Sequence, residues 1–158
     1  MPYMRNYTWN REFAVLYIDN PVGTGFSFTK DDRGYATNEV DVAENLYEAL
    51  RQFFTLYYEY KGNPFFLTGE SYAGKYVPAI GYKIHTMGEA AKKSGINLQG
   101  FAIGDGFSDP RHMFDYGDYL YQVGLVDEIQ RDHFKQEQRL AIKYVENGQM
   151  KKAAEIFD

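Results

Sequence analysis

The sequence comprises 158 residues, with 17 Lys and Arg against 22 Asp and Glu, for a formal net charge of -5. That balance leaves no basic surface to meet phosphates and excludes nucleic-acid binding as a function class. There is no cysteine, which excludes disulfides and thiolate metal sites and by itself leans toward a cytosolic protein.

A chain of this length suits one domain, and 44% apolar with 25% charged residues is an ordinary globular composition. No apolar run approaches the roughly 20 residues of a membrane-spanning helix, and Met1 to Arg5 do not open a signal peptide. The 15 Tyr and 12 Phe supply bulky side chains for filling a core or lining a cleft.

Residues 1–12 carry no hydrophobic period and are read as irregular. Asn6-Tyr7-Thr8 within them is the single N-glycosylation acceptor triplet. Phe13 to Asp19 is short and nearly continuously apolar, as a strand buried on both faces of a parallel sheet would be. Pro21, Gly23 and Gly25 end it, and Lys30 to Gly34 reads as a surface loop.

Thr37 or Asn38 can cap a helix whose first turn holds Glu39 and Asp41. Ala43, Leu46, Tyr47, Leu50, Phe53, Phe54 and Tyr57 follow at helical spacing, predicting a helix over 38–57. Gly62-Asn63-Pro64 stops it, and Phe65 to Thr68 reads as a strand. A second helix is predicted over 72–87, with Pro78 bending it. Ala91 to Gly95 reads as a polar connection and Ile96 to Ile103 as a third strand. Strand, helix, strand, helix, strand is the grammar of a parallel α/β sheet with right-handed crossovers. Beyond Pro110 the pattern is helical only. Gly124 stops one helix, Asp127 starts another, and Gly148 interrupts again.

The chemistry concentrates at Phe65-Phe66-Leu67-Thr68-Gly69-Glu70-Ser71-Tyr72-Ala73-Gly74. A strand runs into a helix with no polar loop between them, and a serine stands at the junction. That is the sequence form of a nucleophile elbow, although Ala73 replaces the second glycine of the strict G-x-S-x-G pattern. The alternative role for Ser71 is a plain helix cap. The loops Gly23-Thr24-Gly25 and Gly104-Asp105-Gly106 complete neither a dinucleotide fingerprint nor a Walker A sequence. No cluster has metal-ligand spacing, so neither metal nor cofactor is expected.

Glu70-Ser71-Tyr72-Ala73-Gly74-Lys75-Tyr76-Val77-Pro78 closely resembles the active-serine signature of the serine carboxypeptidases. The segments Leu16 to Phe28 and Ile103 to Pro110 are similar to that family's loops after the flanking strands, most of all to its vitellogenic-like branch. The resemblance runs over roughly 9–125 and implies a partial α/β-hydrolase fold. Residues 1–158 are accordingly taken as one partial α/β-hydrolase domain. The stretch from about 111 to 158 is read as the start of a helical cap insertion.

The resemblance further implies that Ser71 is the nucleophile and that the backbone N–H of Tyr72 is an oxyanion-hole donor. Glu70, in its protonated form, would hold the C-terminal carboxylate of a peptide substrate. It also implies a secretory, lysosomal or extracellular setting, from which the absence of cysteine departs. The implied activity is release of C-terminal residues from peptides through an acyl-serine intermediate. Asp19, Asn20 and Asp105 would border the cleft, with satisfaction of turn backbone as their alternative role.

A serine of this kind needs a histidine base and an orienting acid. His85 is expected ~20 Å from Ser71 along one helix, and His112 and His133 fall in the helical tail, so all three read as structural. The family's acid and histidine are expected beyond Asp158, and its Asn-Gly-Gly-Pro-Gly segment before Met1. These 158 residues alone are therefore expected to be inactive. Two further readings stand beside this one. One is an acyltransferase that keeps the serine but passes the acyl group to an alcohol. The other is a non-catalytic, truncated binding module.

Overall fold

The structure is a computed structural model describing residues 3–157. Its contacts divide the chain into two compact units, one made of Met1–Asn63 with Tyr82–Asn97 and the other of Pro64–Gly81 with Leu98–Asp158.

The first unit is built around helix α1, Glu39–Leu56. Asn38 caps it, its side-chain oxygen accepting from the N–H groups of Val40 and Asp41. The Asp41 carboxylate returns to the amide and hydroxyl of Thr37, both at 2.9 Å. These bonds satisfy donors that a helix start leaves orphaned. The apolar positions then fall on one face, and Val42, Ala43, Tyr47, Leu50 and Phe54 are buried. Ile84, Ala91 and Ile96 complete the buried set of this unit. Lys83 pairs with Glu44 and lies over the Tyr47 ring at 5.7 Å.

Two expectations fail here. Phe13 to Asp19 is not a strand, and Phe13 and Tyr17 are 63% and 73% exposed. An apolar run becomes a strand only where a neighbour supplies ladder hydrogen bonds, and among the described residues none does. Its exit is held differently, by the Asp19 carboxylate accepting from the Phe26 amide at 2.8 Å and the Ser27 hydroxyl donating to the Asp19 carbonyl at 2.7 Å. The connection expected at Ala91 to Gly95 is instead largely helical, as α3, Glu89–Lys93. Gly88, at φ +50, ends the preceding helix, and Glu-Ala-Ala-Lys-Lys are strong helix formers that restart it.

The second unit holds the sheet. Strand β1, Phe65–Glu70, pairs in parallel with β2, Leu98–Gly104, with Leu67 opposite Phe101, Gly69 opposite Ile103 and Glu70 opposite Gly104. Helix α2, Ala73–Met87, leaves the end of β1 and supplies its residues up to Gly81 to this unit. Val77 and Ile80 on it are buried. Pro78 sits inside α2 on its exposed side, where the missing N–H breaks one turn's ladder but burial is undisturbed.

After β2 the chain is helical: α4, Pro110–Met113; α5, Gly117–Gln122; α6, Glu128–Glu146; and α7, Met150–Phe157. Asp127 and Gln130 form a reciprocal capping box at the start of α6. Gly124 and Gly148 adopt φ +76 and +70 where helices stop, as their positions in the sequence predict. Lys135 pairs with Asp118 at 2.6 Å to join α6 to α5, and Arg111 pairs with Glu146 at 2.7 Å to join α4 to α6. The buried Ala141 and Ala153 let α6 and α7 pack closely.

Candidate active site

Glu70 closes β1, and α2 opens at Ala73, so only Ser71 and Tyr72 turn the chain from strand to helix. The turn forces Ser71 to φ +58, in the left-handed region that L-residues seldom enter. Asp105, just beyond β2, is the second such residue, at φ +44, and the described chain has no other non-glycine case. The cost is about 1–2 kcal/mol per residue, so the surroundings must impose the conformation.

They do so through the backbone. The Ser71 amide donates to the Gly104 carbonyl at 3.0 Å, which extends the β1–β2 ladder by one residue. The Ser71 carbonyl accepts from Phe107 at 2.9 Å and from Gly74 at 3.0 Å. Serine is thus clamped between the first turn of its own helix and the loop that follows the neighbouring strand. Small residues make this approach possible. A Cβ on Gly69 would lie 2.4 Å from the Ala73 Cβ, and one on Gly74 would lie 2.6 Å from the Phe107 backbone nitrogen.

The expected site residues arrive together. Glu70, Ser71 and Tyr72 are consecutive and exposed at the C-terminal end of β1, where parallel α/β sheets place their ligands. Among the described residues, the Ser71 hydroxyl, the Tyr72 N–H and the Glu70 carboxylate have no hydrogen-bond partner. The Tyr72 ring leads into an aromatic run, 5.2 Å from Tyr76 and 6.0 Å from Phe107. Phe107 in turn meets Phe114 at 6.2 Å and Phe157 at 5.4 Å. Sequence reasoning missed this run, because its members come from the elbow, α2, a loop, the end of α4 and α7.

None of the three histidines joins Ser71. His85 is in the last turn of α2, at the far end of that helix. His112 pairs with Asp109 at 2.5 Å, which holds the Asp109 carboxyl below its usual range. His133 is exposed on α6. Asp19 accepts a turn amide, the backbone role weighed against a cleft role in the sequence. Among the described residues no group of three or more ligating side chains could hold a metal ion. No helix there is long and apolar enough to cross a membrane.

The geometry is that of a serine at a tight strand-to-helix turn. The profile of peptidase S10, described as serine carboxypeptidase, matches residues 1–157. The chain belongs to the serine carboxypeptidase family. It is 51% identical over 155 residues to the human protein named "Probable serine carboxypeptidase CPVL", covering 98% of this chain and 32% of that one. It is 50% identical over 153 residues to the vitellogenic carboxypeptidase of Aedes aegypti, covering 97% of this chain and 32% of that protein.

The fold agrees. The crystal structure of Kex1(Δ)p, a prohormone-processing carboxypeptidase from Saccharomyces cerevisiae, superposes with a TM-score of 0.69 at 26% identity. That match covers 82% of this chain and 29% of the yeast chain. The parallel pair with flanking helices is therefore part of an α/β-hydrolase fold. This serine carboxypeptidase chain spans about a third of the length of the curated relatives it matches.

Proposed function

We propose that this chain carries the nucleophile-bearing part of a serine carboxypeptidase. Such an enzyme removes C-terminal residues from peptides through an acyl-serine intermediate. The observation that supports this best is Ser71, held at φ +58 by three backbone hydrogen bonds while its hydroxyl stays free. Backbone strain of this size is usually retained only where it aims a group at something.

Ser71 Oγ attacks the scissile carbonyl carbon, and its proton passes to a histidine base. The carbonyl oxygen takes up negative charge, which the free N–H of Tyr72 stabilises by donating a hydrogen bond to it. Glu70, when protonated, donates a hydrogen bond to the substrate's terminal carboxylate and so selects a chain end over an internal bond. Collapse of the adduct breaks the scissile C–N bond, the released amine takes the proton from the histidine, and water then hydrolyses the acyl-serine. The chain from about 111 to 158 is proposed as the start of the helical cap over this site. No cofactor has a step in this chemistry.

The test uses the protein expressed from its full reading frame. Ser71→Ala should abolish both release of C-terminal residues and covalent labelling by a fluorophosphonate, with the fold retained by circular dichroism. Undiminished labelling of the variant would assign the nucleophile elsewhere. The same expression would place the protein in the secretory pathway, for which Asn6, exposed ahead of the Thr8-capped turn, is the proposed glycosylation acceptor. An endoglycosidase-sensitive mass shift absent from Asn6→Gln is the expected result, and no shift in the parent would refute it.

A further inference from the structure

Asp105, a charged group beside the elbow, has no part in that chemistry. Asp105 follows β2 directly, as Ser71 follows β1 directly, and the two strands are parallel neighbours. The hydrogen bonds from Ser71 to Gly104 and from Phe107 to Ser71 straddle it in sequence. The Asp105 backbone is therefore held about one strand spacing, roughly 5 Å, from that of the serine.

Asp105 also sits at a positive φ of 44 between two glycines. Glycine or asparagine meets that conformation at less cost, and aspartate is commonly kept at such turns to accept a backbone N–H. Asp19 does this for its own loop, taking the Phe26 amide. Asp105 does not. Among the described residues its exposed carboxylate accepts no hydrogen bond and pairs with no cation. The turn does not need the charge.

We infer that Asp105 is a specificity-determining residue. Its carboxylate recognises a cationic side chain, lysine or arginine, on a substrate residue adjoining the bond cut at Ser71. The inference rests on the proposed role of Ser71 and adds to it the charge of the preferred substrate. A negative charge carried on a backbone this close to that of the serine attracts a basic side chain and repels an acidic one. A neutral side chain is left to the aromatic surface of Tyr72 and Phe107.

The test compares kcat/KM for peptide series carrying Arg, Leu or Glu at one position on either side of the scissile bond. The enzymes are the full-length protein, Asp105→Asn and Asp105→Gly. Both replacements fit a positive φ, so folding is preserved, and matching thermal melts check it. The Arg-to-Leu ratio should fall roughly two- to five-fold in both variants at one of the two positions. The Glu-to-Leu ratio should rise, and both changes should shrink in molar salt. Ratios within two-fold of the parent at both positions would overturn the inference while leaving the Ser71 reading intact. Absence of peptide turnover in the parent, or its persistence in Ser71→Ala, would overturn both.

Discussion

The Phe107 amide donates to the Ser71 carbonyl at 2.9 Å, tying the residue at the elbow to a loop that begins beyond a different strand. The conformation of Ser71 is therefore set by a residue far away in the sequence, and the lack of a Cβ at Gly74 is what lets the two approach. Substitutions that touch this contact separate backbone geometry from ordinary helix stability.

Gly74→Ala is the sharpest of these. In an unconstrained helix this change stabilises by about 1 kcal/mol. Here the new Cβ would meet the Phe107 nitrogen at 2.6 Å and the Gly106 carbonyl carbon at 2.7 Å, backbone atoms that cannot rotate aside. The sign should reverse, with a loss of about 1–3 kcal/mol in chemical denaturation and markedly slower fluorophosphonate labelling of Ser71. A stabilised Gly74→Ala variant would show that the loop yields freely.

Ser71 itself offers a comparison of two replacements that both remove the hydroxyl. Alanine keeps the steric cost of a positive φ, whereas glycine relieves it. Ser71→Gly should thus be more stable than Ser71→Ala by about 1 kcal/mol, read from urea midpoints with equal slopes. Equal stabilities would mean that the elbow relaxes in the variants.

Glu70 should reveal itself through the choice of substrate. Glu70→Gln keeps a donor for the terminal carboxylate of a peptide, whereas Glu70→Ala removes it. Peptide KM should therefore rise in Glu70→Ala and much less in Glu70→Gln, with ester substrates that lack a free carboxylate spared in both. An unchanged peptide KM in Glu70→Ala would move carboxylate recognition to another group.

On α1, hydrogen bonds from Arg51 and then Gln52 bring the Glu48 carboxyl down from 4.5 to about 2. A carboxyl whose folded value is depressed contributes stability above its unfolded value and loses it as pH falls toward the folded one. That contribution should fade between about pH 4.5 and pH 2. Side-chain NMR titration of Glu48 should give a midpoint near 2, and Arg51→Ala should move it up toward 4.5. A midpoint unmoved by Arg51→Ala would assign the shift to Gln52. The pair is solvent-exposed, so molar salt should weaken it.

What could be read from the sequence was local. The alternation from an apolar run to small residues to a helical face located β1, the elbow and α2. Asn38, Asp127, Gly124 and Gly148 marked helix ends, because caps and left-handed stops act within one turn. The failures were of two kinds. Phe13 to Asp19 has strand composition, but pairing is a property of two segments and cannot be read from one. α3 was hidden because Glu89 to Lys93 has no apolar face to give a period, only propensity. The clamp on Ser71 and the unpartnered carboxylate of Asp105 depend on contacts across some thirty residues, roughly the span between paired positions of β1 and β2.

That span has a consequence for when the site comes into being. Parallel strands cannot be joined by a hairpin, so the loop between β1 and β2 must close before either strand gains a hydrogen bond. Until it does, nothing holds Ser71 away from the relaxed conformations of any serine in a flexible chain. The geometry proposed for catalysis is thus absent from the nascent polypeptide and appears only with long-range assembly. If Ser71 acts as proposed, such late shaping is a safeguard during synthesis, since a chain that has not paired its strands has no elbow to present.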